Sequence, residues 1–432
     1  MRRLVLLVPA AAVLAACSSG GSAGSASTLQ QTSAPPSTGE SVSPSASASG
    51  SPSPSASPTP AAPVARLAYT TPNAVFLVSL DPTGQATQPA QQISDTIAAG
   101  VGAGMFNLQW SRNGRFLVWS QLASGVEGIA WGLYDSNTGK HIAIPGPTNG
   151  SAIATATDTG LLMMAGTQVT SFDATGRASA ARTVHFQGQV VNLDSLDAGQ
   201  ILGSVAGAEP GGVLLTVANG TADSPATQAH LIEVNAAGTG IDLGSLADPS
   251  TSPLVNGAAG RDGYIAAELG DHTDGCGLPP ASTVLVVAPG KPATAVALPS
   301  SPGGTIERAV GIEVSPDHVV GATLVACGNG AGAGYPSDFA ELTSRGWNVV
   351  ANDALDASRG PGGLLAYVHG RIGGEGEKYG PRGDQHLRIK TKTGRQGADL
   401  GGPVTSVLFA PATAAPASAS APGPSSASPT AP

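Results

Sequence analysis

The sequence predicts an all-β fold on three observations. Charged residues make up only 11% of its 432 residues, while Gly (59) and Pro (35) are abundant. That balance disfavours long solvent-facing helices and favours short strands separated by turns. The third observation is a recurring unit of short apolar runs and glycine turns, with a mean step of about 52 residues.

Taken in order, the chain begins with Arg2 and Arg3, then an apolar run from Leu4 to Leu14, then Ala15-Ala16-Cys17. A basic start, a short apolar core and small residues before a cut form a secretory signal that is too short to span a membrane. With cysteine at the cut, Leu14-Ala15-Ala16-Cys17 resembles the lipobox of bacterial lipoproteins. The resemblance implies removal of residues 1–16 and acylation of Cys17, with palmitate-type chains holding the protein to the outer face of the cell membrane. No later apolar run reaches the roughly 20 residues of a membrane helix, so the acyl chains are the expected anchor.

Residues 17–64 are Ser, Pro, Ala, Gly and Thr with almost no large apolar side chain. Such a segment buries too little surface to offset the entropy of ordering, and it reads as a disordered tether with a reach of about 35–40 Å. Its composition also suits O-glycosylation. Residues 411–432 have the same character.

Residues 65–410 carry the repeat. The clearest copy runs from Phe106-Asn107-Leu108-Gln109-Trp110 through Phe116–Ser120 and Gly128–Asp135 to His141–Ile144. It reads as four strands with turns at Asn113-Gly114 and Thr138-Gly139. The turn between third and fourth strands is marked by Gly84, Gly139, Gly176, Gly238, Gly290, Gly346 and Gly394. First turns fall at Gly114, Gly160, Gly199, Gly263, Asp317-His318 and Gly362-Gly363. Four strands per repeat of this length predict a β-propeller, and the marks predict seven four-stranded blades. The first unit lacks a strand before Arg66–Thr70, whereas Val404–Ala410 looks like one. Pairing the two closes the ring with the C-terminal strand and removes an exposed edge. The stretches Trp110–Trp119 and Val314–Val320 resemble the WD-like repeats of TolB-type propellers, which implies a binding scaffold more often than an enzyme.

Function is read from loops and clusters. On this register, long loops joining second and third strands fall at Val205–Gly212, Gly270–Ser282, Gly328–Asp338 and Gly370–Gln385. Long loops on a rigid scaffold are where binding resides. The last holds the candidate binding residues Glu375, Glu377, Lys378, Tyr379, Arg382 and Asp384. With Cys17 assigned to lipid, two of the three cysteines remain, Cys276 and Cys327. They fall on one face of neighbouring blades in an oxidising compartment, so a disulfide is expected. Trp110, Trp119 and Trp131 are expected to pack within the second blade.

Asp271, His272 and Asp274 share a loop without a recognised metal spacing and read as a solvated turn. Gly328-Asn329-Gly330 lies in a β repeat and lacks the βαβ context of a dinucleotide loop. No metal, cofactor or catalytic set is expected. The net charge of −9 is a poor match for nucleic acid. The expected partner is a cell-envelope protein or glycan. An extracytoplasmic enzyme or glycan-binding propeller is the alternative, and it would need convergent acids or histidines in the central channel.

Overall fold

The computed structural model describes residues 65–94, 108–122, 129–147, 151–194, 197, 199–218, 229–246, 254–270, 281–299, 306–327, 337–372 and 381–412. Residues 1–64, with Cys17, and the residues beyond 412 lie outside them.

The first unit holds β1 (Ala65–Thr71), β2 (Ala74–Leu80) and β3 (Gln91–Gln92). The second holds β4 (Gln109–Trp110), β5 (Phe116–Leu122), β6 (Ile129–Asp135) and β7 (Lys140–Pro145). The third holds β8 (Ala152–Thr157), β9 (Gly160–Ala165), β10 (Gln168–Asp173) and β11 (Arg182–Thr183). A small hairpin, β12 (His185–Phe186) and β13 (Gln189–Asn192), precedes the fourth unit. That unit is β14 (Gln200–Glu209), β15 (Gly212–Ala218), β16 (Ala229–Val234) and β17 (Gly240–Leu246). The fifth is β18 (Leu254–Arg261), β19 (Tyr264–Gly270), β20 (Ala281–Val287) and β21 (Thr294–Ala297). The sixth is β22 (Ile306–Val314), β23 (Val320–Cys327), β24 (Ser337–Thr343) and β25 (Gly346–Asn352). The seventh is β26 (Ala354–Arg359), β27 (Leu365–Ile372), β28 (Pro381–Lys390) and β29 (Gln396–Asp399), followed by β30 (Ser406–Phe409).

Each unit contributes four antiparallel strands in chain order, except that the first takes β30 as its first strand, in the order β3-β2-β1-β30. The register Leu67↔Phe409, Ala68↔Leu408, Tyr69↔Val407 and Thr70↔Ser406 joins the two ends of the described chain. The fourth and fifth units share a short parallel pairing of β14 with β18. Consecutive units touch in sequence, and the seventh returns to the first through β26 and β30. Four-stranded sheets in a closed cycle define a β-propeller.

Strand alternation explains how the units pack. In β5, Leu117 and Trp119 join a cluster with Val75 and Trp110 toward the first unit. Phe116 and Val118 join Leu161 and Ala156 toward the third. Both faces of the strand are buried, so the period-two pattern becomes an unbroken apolar run. Trp110, Trp119 and Trp131 are buried within the second unit, as expected. Trp119 lies across Gly132, where an added Cβ would collide with its indole.

Six of the seven marker glycines lie between the third and fourth strands, and the seventh, Gly346, is the first residue of β25. An Asp or Asn caps four of these turns, Asp135 by accepting from Asn137 N at 3.0 Å and the other three by two backbone N–H bonds each. Asp81 Oδ1 accepts from Thr83 N at 2.8 Å and Gln85 N at 2.9 Å. Asp173 does the same with Thr175 and Arg177, and Asn235 with Ala237 and Thr239. These Asx turns offer the backbone a local alternative to the ladder and stop the strand.

The fourth unit corrects the sequence register. Gly199 is not a first turn, and Val205–Gly212 is not a long loop. Val190, Val191 and Asn192 pair in parallel with Gln200, Ile201 and Leu202, because the extra hairpin imitates a first strand ahead of a glycine. The first turn lies at Pro210-Gly211, where Gly211 has φ 92°.

Candidate functional site

The first strands of the units (β30, β4, β8, β14, β18, β22 and β26) form the inner ring, and polar groups on them, on β1 and in the first turns tie units together. Trp110 Nε1 donates to Leu408 O at 3.3 Å, and Arg66 Nη2 to Gly114 O at 2.7 Å, linking the first and second units. Asn113 N donates to Asp158 Oδ1 at 2.9 Å, linking second and third. Thr155 Oγ1 donates to Glu209 O at 2.6 Å, linking third and fourth. Gly263 N donates to Glu209 Oε2 at 3.3 Å, and Asp262 Oδ2 lies 3.4 Å from His318 Nε2. Ser358 Oγ donates to Glu313 Oε1 at 2.7 Å, linking sixth and seventh. Asp356 Oδ2 accepts from Ser406 Oγ at 2.6 Å and from Val407 N at 2.9 Å, which returns the circuit to the first unit. Ser358 Oγ also accepts from Phe409 N at 3.0 Å.

Two groups stand out within this circuit. The first is a charged ladder built from three first turns. Arg112, in the second unit, reaches Glu209 Oε1 of the fourth at 3.2 Å and Asp262 Oδ1 of the fifth at 3.6 Å. His318, in the sixth, pairs with Asp262 and stacks on Tyr264 with centroids 4.1 Å apart. Asp262 and His318 both hold positive φ, 54° and 60°, an uncommon conformation for residues with a Cβ. Glu209 is 1% exposed. Burial and the neighbouring Glu233 push its carboxyl up to about 8, against the pull of Arg112. Gly260 makes room for it, since a Cβ there would sit 2.7 Å from the Glu209 Cβ.

The second group is Arg261, Glu313 and Asp356, on β18, β22 and β26. Glu313 and Asp356 are half-buried on two of the first strands. Burial raises the Glu313 carboxyl to about 8, with Asp356 adding to the rise and Ser358 and Arg261 opposing it. Burial likewise raises Asp356. A third raised acid, Glu268 on β19, is 3% exposed and pushed up to about 7 by burial. Its Oε1 has no hydrogen-bond partner among the described residues.

The sequence-derived candidates fall elsewhere. Cys17, Cys276, Glu375, Glu377, Lys378 and Tyr379 lie outside the described residues. Cys327 is the last residue of β23, opposite Ile306, and its expected bridge to Cys276 also lies outside them. Arg382 and Asp384 belong to strand β28, not to a loop extending to Gln385. Pro381 and Arg382 pair with Ile372 and Arg371, so the ladder resumes earlier than the glycine-rich composition suggested. His318, in a first turn, pairs with Asp262 of the neighbouring unit. Among the described residues no group of three His, Cys, Asp or Glu side chains is placed to hold a metal ion.

The chain is thus a β-propeller by its own topology. No family model and no curated protein sequence matches it. Solved structures similar to it include TolB from Acinetobacter baumannii, at 14% identity and TM-score 0.40, over 80% of this chain and 67% of that one. An oligogalacturonate lyase in complex with manganese is similar at 12% identity and TM-score 0.43, over 67% of this chain and 74% of that one. A third is AztD from Citrobacter koseri, at 10% identity and TM-score 0.40, over 81% and 98%.

Proposed function

We propose that the chain is a lipid-anchored extracytoplasmic propeller that acts as a protein-binding or scaffolding module at the cell envelope. The observation that carries this reading is the commitment of the axial acids. Glu209, Glu313 and Asp356 each accept bonds from a neighbouring unit, so they fasten the ring and make it a stiff platform for its loops. The lipobox supplies the anchor, and the tether places the platform away from the membrane. The segments that follow β19, β23 and β27 in the sequence, residues 271–280, 328–336 and 373–380, lie outside the described residues and are the ones to which this reading assigns recognition.

Capture from solubilised envelopes by the full chain tests the binding face. Replacing Glu375, Glu377 and Arg382 together with alanine is expected to reduce recovery of one envelope protein several-fold; equal recovery would move the face elsewhere. The anchor is tested by fatty-acid labelling in cells. Cys17→Ala is expected to abolish label and release the protein from the membrane fraction, and retained label would remove the lipoprotein reading.

A second reading, a propeller taking a small ligand in its channel, is favoured by the convergence of Arg261, Glu313 and Asp356 near the axis.

A further inference from the structure

Arg261 ends the inner strand β18 and is only 6% exposed. A guanidinium cannot lose its proton in a protein, so burial demands a counter-charge or a full set of acceptors. Among the described residues Arg261 has neither a hydrogen bond nor an ion pair. Its two neighbouring acids are Glu313 and Asp262, and burial dominates over both in lowering its pKa. Asp262 is already engaged by Arg112 at 3.6 Å and His318 at 3.4 Å. Glu313 is tied through Oε1 to Ser358 Oγ and Arg359 N. Its Oε2 makes no hydrogen bond among the described residues.

We propose that Arg261 and Glu313 form a recognition site for the carboxylate of a small ligand entering the axial channel. The guanidinium presents a planar fork that matches a carboxylate bidentately and becomes stronger as water is excluded. Glu313 adds a donor, since a carboxyl that titrates at about 8 still carries its proton at neutral pH. The ligand then supplies the directly bonded carboxylate that Arg261 lacks among the described residues. The charged and titratable groups that act on Glu313 are Arg261 from the fifth unit, and Asp356 and the backbone N–H of Arg359 from the seventh. Glu341 of β24 is bonded to Arg359, and His318 is in the turn after β22. The site does not depend on the lipid anchor or on an envelope partner.

Thermal shift and calorimetry on the purified full chain test it. Sodium acetate and sodium glycolate serve as probes against sodium chloride at equal ionic strength. At pH 6.5 the carboxylates are expected to raise the melting temperature saturably, beyond chloride. Arg261→Gln should weaken that response at least tenfold, and Arg261→Lys, which keeps the charge but not the fork, by a smaller factor. In the unaltered chain affinity should fall as pH rises from 6.5 to 9, when Glu313 loses its proton. Glu313→Gln, which keeps a donor, should bind at pH 6.5 within a few-fold of the original and remain flat with pH. A response equal to that of chloride, or undiminished binding by Arg261→Gln, overturns the proposal. Should Arg261→Gln fail to fold, the same pH dependence in Glu313→Gln as in the unaltered chain overturns it.

Discussion

At the scale of single residues, the informative groups are acids that burial keeps protonated. For Glu268 the ordinary value is 4.5 and the folded value about 7. Between these the folded chain holds a proton that the unfolded chain has lost, so stability falls as pH rises through that window. Below 4.5 both states are protonated and the difference vanishes. Glu268→Gln removes the effect. The variant is expected to be more stable than the original by about 1–3 kcal/mol at pH 8 and nearly equal to it at pH 4, as read by urea denaturation. Equal stabilities at both pH values would show that Glu268 is not buried as described. None of these acids was legible in the sequence. Glu209 and Glu313 sit near the ends of the long strands β14 and β22, and nothing in their spacing marks them. What makes them special is a neighbour from another unit, some 45 to 100 positions away, as with Ser358 for Glu313 and Arg112 for Glu209.

At the scale of elements, the turn chemistry was the readable part. Asp81, Asp173 and Asn235 cap their turns by bonds within four residues, so the signal is local and survives in the sequence. Hydrogen bonds from Thr83 and Gln85 hold the Asp81 carboxyl below its ordinary range, and those from Thr175 and Arg177 do the same for Asp173. The fourth unit was misread because β12 and β13 supply an apolar run and a glycine in the place where a first strand is expected, and only long-range pairing tells them apart. Packing between adjacent strands sets a stricter demand than the pattern shows. Gly132 faces Gly132's cross-strand partner Trp119, which fills the space over its Cα. Gly132→Ala is expected to destabilise the chain by about 1–3 kcal/mol through overpacking. A denaturation midpoint that does not move would mean that the indole has room to shift.

At the scale of the whole molecule, the account rests on closure. The step between glycine turns marked a repeat of four strands, and the missing first strand of unit one pointed to Val404–Ala410 as its completion. The observed strand β30 pairs with β1 as that reading requires. The sequence did not reveal how closure is secured, because Asp356 and Ser358 lie 50 and 51 positions from the residues they bind, Ser406 and Phe409. Without β30, β1 becomes an open edge and the axial circuit ends at Asp356. Hydrogen exchange on a chain truncated after Val404, compared with one truncated after Ala412, tests this most directly. The shorter chain is expected to lose amide protection in residues 65–71 and 354–359 while keeping it in residues 152–173. Protection at 65–71 unchanged by the loss of β30 would contradict a ring closed by its two ends.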